Sequence, residues 1–117
     1  TRVRDAMRSA QLPFVAADAP VKDAIIVMTE GRLGMTLVGS ADDLHGVLTD
    51  GDLRRLLLRG VELATTRVGD VASATPLTIG PDQLMADAEA RMQESRVQCL
   101  VVTGENGHVE GVVQIFE

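Results

Sequence analysis

Thr49 and Asp52 stand three residues apart in Gly46-Val47-Leu48-Thr49-Asp50-Gly51-Asp52-Leu53-Arg54-Arg55, the segment of the chain with the most chemistry to offer. The apolar residues before Thr49 read as the end of a strand and Leu53 opens a helical pattern. A hydroxyl and two carboxylates therefore fall on a strand-to-helix junction. Two uses of that arrangement are open. In one, the Thr49 hydroxyl accepts from the Asp52 amide while the Asp52 carboxylate accepts from the Thr49 amide, a capping box that needs no ligand. In the other, the free amides of the helix N-terminus and the Thr49 hydroxyl meet a phosphate. Asp52 then accepts from vicinal ribose hydroxyls, as carboxylates do in nucleotide sites.

The remaining reactive side chains are less pointed. His45 and His108 lie near hairpin turns without a partner at metal-ligand spacing, and read as ordinary exposed histidines. Cys99 sits in an apolar run and reads as a small buried hydrophobe rather than a reactive thiol. Asp42-Asp43 and Asp50-Gly51-Asp52 lack the spacing of a calcium loop. Met28, Met35, Met85 and Met92 read as core packing. No base and nucleophile are poised together, so the chain itself is not expected to be an enzyme, and no metal is expected.

The elements that hold the junction are written twice. Asp18, Asp23, Ala24, Met28, Glu30, Arg32 and Val38 recur as Asp82, Asp87, Ala88, Met92, Glu94, Arg96 and Val102, a spacing of about 64 residues, longer than the usual solenoid periods. Gly46-Val47-Leu48 is echoed by Gly111-Val112-Val113, displaced by one extra residue. In each copy a short helical lead-in (Val3 to Met7, Val68 to Ala72) precedes a short apolar stretch, Phe14-Val15-Ala16 or Leu77-Thr78-Ile79. A helix follows, then a β-rich run from Met35 or Cys99, a turn, and a return strand. Asn106-Gly107 marks the second hairpin. In the first copy a helix runs from about Asp50 to Arg59, with Gly60 just past its end. The second copy stops at Glu117, before its last helix can form, with Gln114 in the place of Thr49 and Glu117 in that of Asp52. The chain starts at Thr1 without an initiator methionine and reads as a piece of something longer. The repeats span residues 1–62 and 63–117 and are expected to fuse into one module with pseudo-two-fold symmetry.

Composition narrows the partners. The chain has 117 residues, 45% of them hydrophobic, enough for one compact module. Lys and Arg total 11 against 17 Asp and Glu, a net charge of −6, which argues against a nucleic-acid backbone as partner. Phe14 and Phe116 are the only aromatics, so stacking platforms for bases are nearly absent. The single cysteine excludes an internal disulfide and fits a reducing, cytoplasmic setting. No apolar run approaches membrane-spanning length.

The duplicated unit and the run from Gly46 to Asp52 resemble a pair of CBS domains. In that family Gly, two apolar residues, Thr or Ser, two residues and Asp mark a nucleotide site, and Gly46 to Asp52 match at every required position. Leu33-Gly34-Met35-Thr36 with Gly46 to Arg55 resembles, more narrowly, the C-terminal CBS pair of KpsF/GutQ-type D-arabinose 5-phosphate isomerases. The fold implied is α+β, two β-α-β-β-α repeats. The resemblance implies ligand contacts at Thr49, Asp50 and Asp52, working with Ser73, Thr75, Leu77 and Thr78. Val97 and Cys99 would line an apolar slot for a base. Arg54 or Arg96 would neutralise phosphate, although a solvated helix face or a rim ion pair accounts for either arginine equally well.

The function implied is regulatory. The module would sense CMP-Kdo or an adenosine nucleotide (AMP or ATP), with no cofactor required, and pass its occupancy to an N-terminal sugar-isomerase domain. The competing expectation is a structural module that dimerises. Its contact would be the stripe of Val21, Ile25 and Met28 with the face of Leu53, Leu56 and Leu57.

Overall fold

The computed structural model describes residues 1–115; Phe116 and Glu117, the latter expected in the place of Asp52, lie outside the described residues. The chain runs α1 (Val3–Ala6), β1 (Phe14–Val15), α2 (Val21–Gly31), β2 (Met35–Gly39), β3 (Leu44–Thr49), α3 (Asp50–Leu58), α4 (Val68–Val71), β4 (Thr78–Ile79), α5 (Met85–Ser95), β5 (Cys99–Thr103) and β6 (Val109–Gln114). It forms two three-stranded sheets, ordered β1-β2-β3 and β4-β5-β6. The α+β class and the duplicated β-α-β-β core are as the sequence predicts. No helix among the described residues is long and apolar enough to cross a membrane.

Two compact units result, and they do not follow the repeat boundary. A contiguous unit spans Pro13–Thr75; a split unit joins Thr1–Leu12 to the chain from Pro76 onward. The lead-in helices are responsible. Val3 of α1 is 0% exposed and packs with Ile79, Ala88, Met92, Leu100, Val102 and Val113 of the split unit. Val68 of α4 packs with Val15, Ala24, Met28, Val38, Leu48 and Leu53 of the contiguous unit. Each helix thus completes the core of the copy to which it does not belong in sequence.

The sheets of the two units share one pairing pattern. The central strand pairs parallel to the short first strand and antiparallel to the third, with Leu37 opposite Val47 and Val101 opposite Val112. A central strand takes hydrogen bonds on both edges, and β2 buries Met35, Thr36, Leu37 and Val38 in succession. That continuous apolar run, rather than an alternating one, is what a strand covered on both faces needs. Thr36 is its polar exception, and its hydroxyl donates to the Leu48 carbonyl at 3.4 Å. Both α2 and α5 end on an arginine in the left-handed region, Arg32 (φ 58°) and Arg96 (φ 57°). In neither helix does a glycine take that left-handed position, although Gly31 is the last residue of α2. The second hairpin turns through Glu105–Gly107, where Asn106 and Gly107 both take positive φ and the His108 amide donates to the Glu105 carbonyl. That is the left-handed pair a tight hairpin favours.

The dimer stripe expected from the helical spacing does not exist as a surface. Val21, Met28, Leu53 and Leu56 are buried in the contiguous unit's own core and Ile25 packs partly against it. Of those six residues Leu57 alone is exposed, beside Leu58, which is 87% exposed. Helical periodicity identified an apolar face correctly, and the sheet of the same unit already occupies it.

Gly46 has a packing role that the motif did not reveal. Val47 and Ser73 exchange backbone hydrogen bonds of 3.0 and 2.9 Å, which lays the segment after α4 along the outer edge of β3. A Cβ on Gly46 would sit 2.3 Å from the Ser73 carbonyl oxygen. In the split unit Arg8 and Val112 make the same exchange, and a Cβ on Gly111 would lie 2.6 Å from the Arg8 carbonyl. Gly46→Ala is therefore expected to destabilise the protein by about 1–3 kcal/mol through overpacking. Gly51→Ala, whose Cβ would meet nothing closer than 3.6 Å, should instead stabilise α3 by about 0.5–1 kcal/mol. Urea unfolding of the two variants checks both signs.

Candidate functional site

The junction of β3 and α3 carries the polar groups that the sequence singled out. The Asp52 amide donates to Thr49 Oγ1 at 3.1 Å and the Thr49 amide donates to Asp52 Oδ2 at 3.0 Å, so the capping box forms. The Asp50 amide donates to the Gly34 carbonyl at 2.8 Å, tying the helix start to the loop before β2. Three donors of the N-terminus are thereby satisfied within the contiguous unit; the fourth is the amide of Gly51. The helix closes at Gly60 (φ 73°), whose amide donates to Leu57 at 3.1 Å, as a left-handed C-terminal residue should.

The other oxygen of Asp52 is held by a residue missing from the expected site. Arg55 Nη2 donates to Asp52 Oδ1 at 2.7 Å, while Arg54, one of the two arginines expected to meet phosphate, pairs with Asp50 at 3.1 Å. The spacings of three and four residues on one helix were the available signal for both pairs. All four side chains are at least partly open to solvent, so each pair on its own stabilises the helix little. Burial alone would raise the Asp52 carboxyl, but the Thr49 amide, the Arg55 guanidinium and the Thr49 hydroxyl outweigh it and hold the group below its ordinary range. The junction therefore presents a carboxylate paired with an exposed guanidinium, a hydroxyl, and the positive end of a helix dipole. Such a set can accept from sugar hydroxyls and donate to phosphate.

The remaining expected residues divide between the units. Ser73 and Thr75 lie in the contiguous unit, with Ser73 bonded to Val47, two residues before Thr49. Leu77, Thr78, Arg96, Val97 and Cys99 belong to the split unit. There the Leu77 carbonyl accepts from Val101, and the Thr78 carbonyl accepts from Arg91. Arg96 is the exposed residue that ends α5, and Val97 packs partly buried on that unit's core. Cys99 stands opposite Gln114 in register, the pair that takes the place of Met35 and Thr49 in the first copy. Burial pushes the Cys99 thiol up to about 11, and a hydrogen bond with Gln114 offsets this only in part. His45 and His108 are exposed, as expected.

Because the Asp52 carboxyl has a lower pKa folded than unfolded, its contribution to stability is complete above the ordinary carboxylate range. It is lost as pH falls through the folded value. Asp52→Asn should therefore lower stability most near neutral pH. The difference from the parent should close below about pH 4, measured by urea unfolding across the range. Cys99 should react with a thiol-labelling disulfide about a hundredfold more slowly than a small free thiol near pH 8, since so little thiolate is present.

The sequence and the fold have known counterparts. The family model described as CBS domain matches residues 3–59 and 68–115. Arabinose 5-phosphate isomerase KpsF of Escherichia coli is 38% identical over 118 positions, covering 100% of this chain and 36% of that protein. The probable arabinose 5-phosphate isomerase of Haemophilus influenzae is 34% identical over 114 positions, covering 97% of this chain and 34% of the relative. The chain thus spans about a third of the length of these curated relatives. Among solved structures, CBSX2 in complex with AMP superposes with a TM-score of 0.83 at 25% identity, over 97% of this chain and 89% of that one. With both repeats matched and the strand-to-helix motif intact in the first, the chain belongs to the CBS domain family.

Proposed function

We propose that the chain is the regulatory module of a D-arabinose 5-phosphate isomerase and that it senses a nucleotide or nucleotide-sugar. The observation that carries this reading is the Thr49–Asp52 junction, a preorganised hydroxyl and carboxylate at a helix N-terminus in a chain of this family. The arabinose 5-phosphate isomerases among its relatives support the parent activity, which would reside in an N-terminal sugar-isomerase domain. CBSX2, solved with AMP, supports a nucleotide as ligand class.

The proposed effector is CMP-Kdo, whose ribose and phosphate suit Asp52 and the helix terminus and whose sugar adds a further negative charge. AMP or ATP is the alternative. Thr49, Asp50, Asp52, Ser73 and Thr75 are the proposed contacts in the contiguous unit. There Arg54 would have to leave Asp50 to reach a phosphate, whereas Arg55 already stands beside Asp52. Leu77, Thr78, Arg96, Val97 and Cys99 are the proposed contacts in the split unit. A ligand so held regulates only by binding one conformation of the module better than another.

A second reading is favoured by the capping box itself, which accounts for Thr49 and Asp52 without a ligand. The module would then serve assembly, as a homodimer, with the exposed Leu57 and Leu58 as its apolar surface. Calorimetric titration with CMP-Kdo, CMP, AMP and ATP separates the two. The sensing reading expects at least one ligand to bind well below millimolar. Thr49→Ala and Asp52→Ala should each weaken that binding by about 1–3 kcal/mol. The assembly reading expects no thermal response to any of the four, while Asp52→Ala still lowers the melting temperature through the lost cap.

A further inference from the structure

We infer that Arg55 is a specificity-determining residue of the Thr49–Asp52 junction, admitting ligands that bring a phosphate together with their hydroxyls and turning away the neutral nucleoside. This role presupposes the nucleotide-sensing reading above, and every group it needs lies in the contiguous unit. Both oxygens of Asp52 already have donors. The Thr49 amide donates to Oδ2 at 3.0 Å, and Arg55 Nη2 donates to Oδ1 at 2.7 Å. A ribose hydroxyl is a donor too, so it reaches this carboxylate only in competition. The capping amide is fixed in the backbone, whereas the Arg55 side chain is 68% exposed against 27% for Asp52. Arg55 is therefore the donor with which a ligand competes for Oδ1. A hydrogen bond between two ions is stronger than one from a neutral hydroxyl, so a neutral ligand gains little by the exchange.

A phosphorylated ligand brings a new partner for the displaced cation. Arg55 folds back over the first turn of α3. Its Nη1 and Nη2 both lie 3.6 Å from where a Cβ on Gly51 would stand, and Thr49 Oγ1 lies 3.8 Å from the same point. The guanidinium, the hydroxyl and the Gly51 amide thus border one spot at the positive end of the helix dipole. Thr49 Oγ1 accepts from the Asp52 amide at 3.1 Å, and a hydroxyl that accepts still has its proton to donate. A phosphate oxygen at that spot takes both the Thr49 hydroxyl and the Arg55 guanidinium. The Asp52–Arg55 pair is then replaced by two bonds, ribose hydroxyl to Asp52 and Arg55 to phosphate. A nucleoside supplies the first alone. The chain as a whole carries a net charge of −6 and repels anions, so a local cation has to favour the phosphate. Arg54 is committed to Asp50 at 3.1 Å, which leaves that part to Arg55.

Calorimetric titration of the whole chain with AMP against adenosine, and with CMP against cytidine, tests this, since each pair differs only in the phosphate. The parent should bind the tighter nucleotide about tenfold or more better than its nucleoside, the worth of one hydrogen bond to a charged group. Arg55→Gln should cut that preference to about threefold or less, by weakening the nucleotide and leaving the nucleoside unchanged or tighter. Arg55→Ala serves in its place if that variant does not fold. Arg59→Gln, which removes the same charge from the far end of α3, should leave the preference as it is. The assignment is overturned if the preference survives the substitution at Arg55 to within about twofold, if nucleotide and nucleoside weaken alike, or if the parent does not distinguish them. A parent that binds neither nucleotide overturns the sensing reading, and the role of Arg55 with it.

Discussion

Each unit depends on one reciprocal backbone contact, Val47 with Ser73 in one and Val112 with Arg8 in the other. An outer strand with an open edge invites pairing with other chains, and here a returning segment covers part of that edge. The approach is so close that only hydrogen fits on the neighbouring residues, Gly46 and Gly111. Once the segment is seated there, the short helix before it has no choice but to enter the core of that sheet. The exchange of leading helices between repeats follows from this contact.

The same closeness explains how one short motif combines fold and chemistry. Gly46 admits the covering segment, Val47 and Leu48 are buried, and the strand then delivers Thr49 to the first turn of α3. The cap that stabilises the helix also fixes the hydroxyl and the carboxylate in position before any ligand arrives. Capping and binding are therefore not exclusive uses of Thr49 and Asp52. The second copy keeps the glycine and the buried strand but places Gln114 where the hydroxyl was, next to a thiol held neutral by its surroundings.

Much of this was legible in the residues. The repeat located both sheets, because Ala24, Met28 and Val38 and their partners Ala88, Met92 and Val102 share a face dictated by period. Thr49 and Asp52 announced the cap through their spacing. Four features were not legible, each for a physical reason. The exchange of α1 and α4 is a long-range choice, and four-residue helices carry no signal of which core receives them. The role of Gly46 depends on a backbone distant in sequence. The stripe from Val21 to Leu57 was read as surface because periodicity reports that a face is apolar without reporting what covers it. Arg32 and Arg96, which end their helices at positive φ, break the glycine habit that would have marked those boundaries.

The exchanged helices also constrain how such a protein can arise and be dissected. A gene for one repeat alone would encode a leading helix whose apolar valine has no pocket in its own chain. Such a product could close only by lending that helix to a second molecule and borrowing one in return, an association in trans. Joining the copies in tandem replaces that bimolecular step with a loop closure whose cost grows slowly with length. Excising either half at the sequence boundary would undo the arrangement, leaving each fragment with a hole the size of one valine and a stray turn of helix.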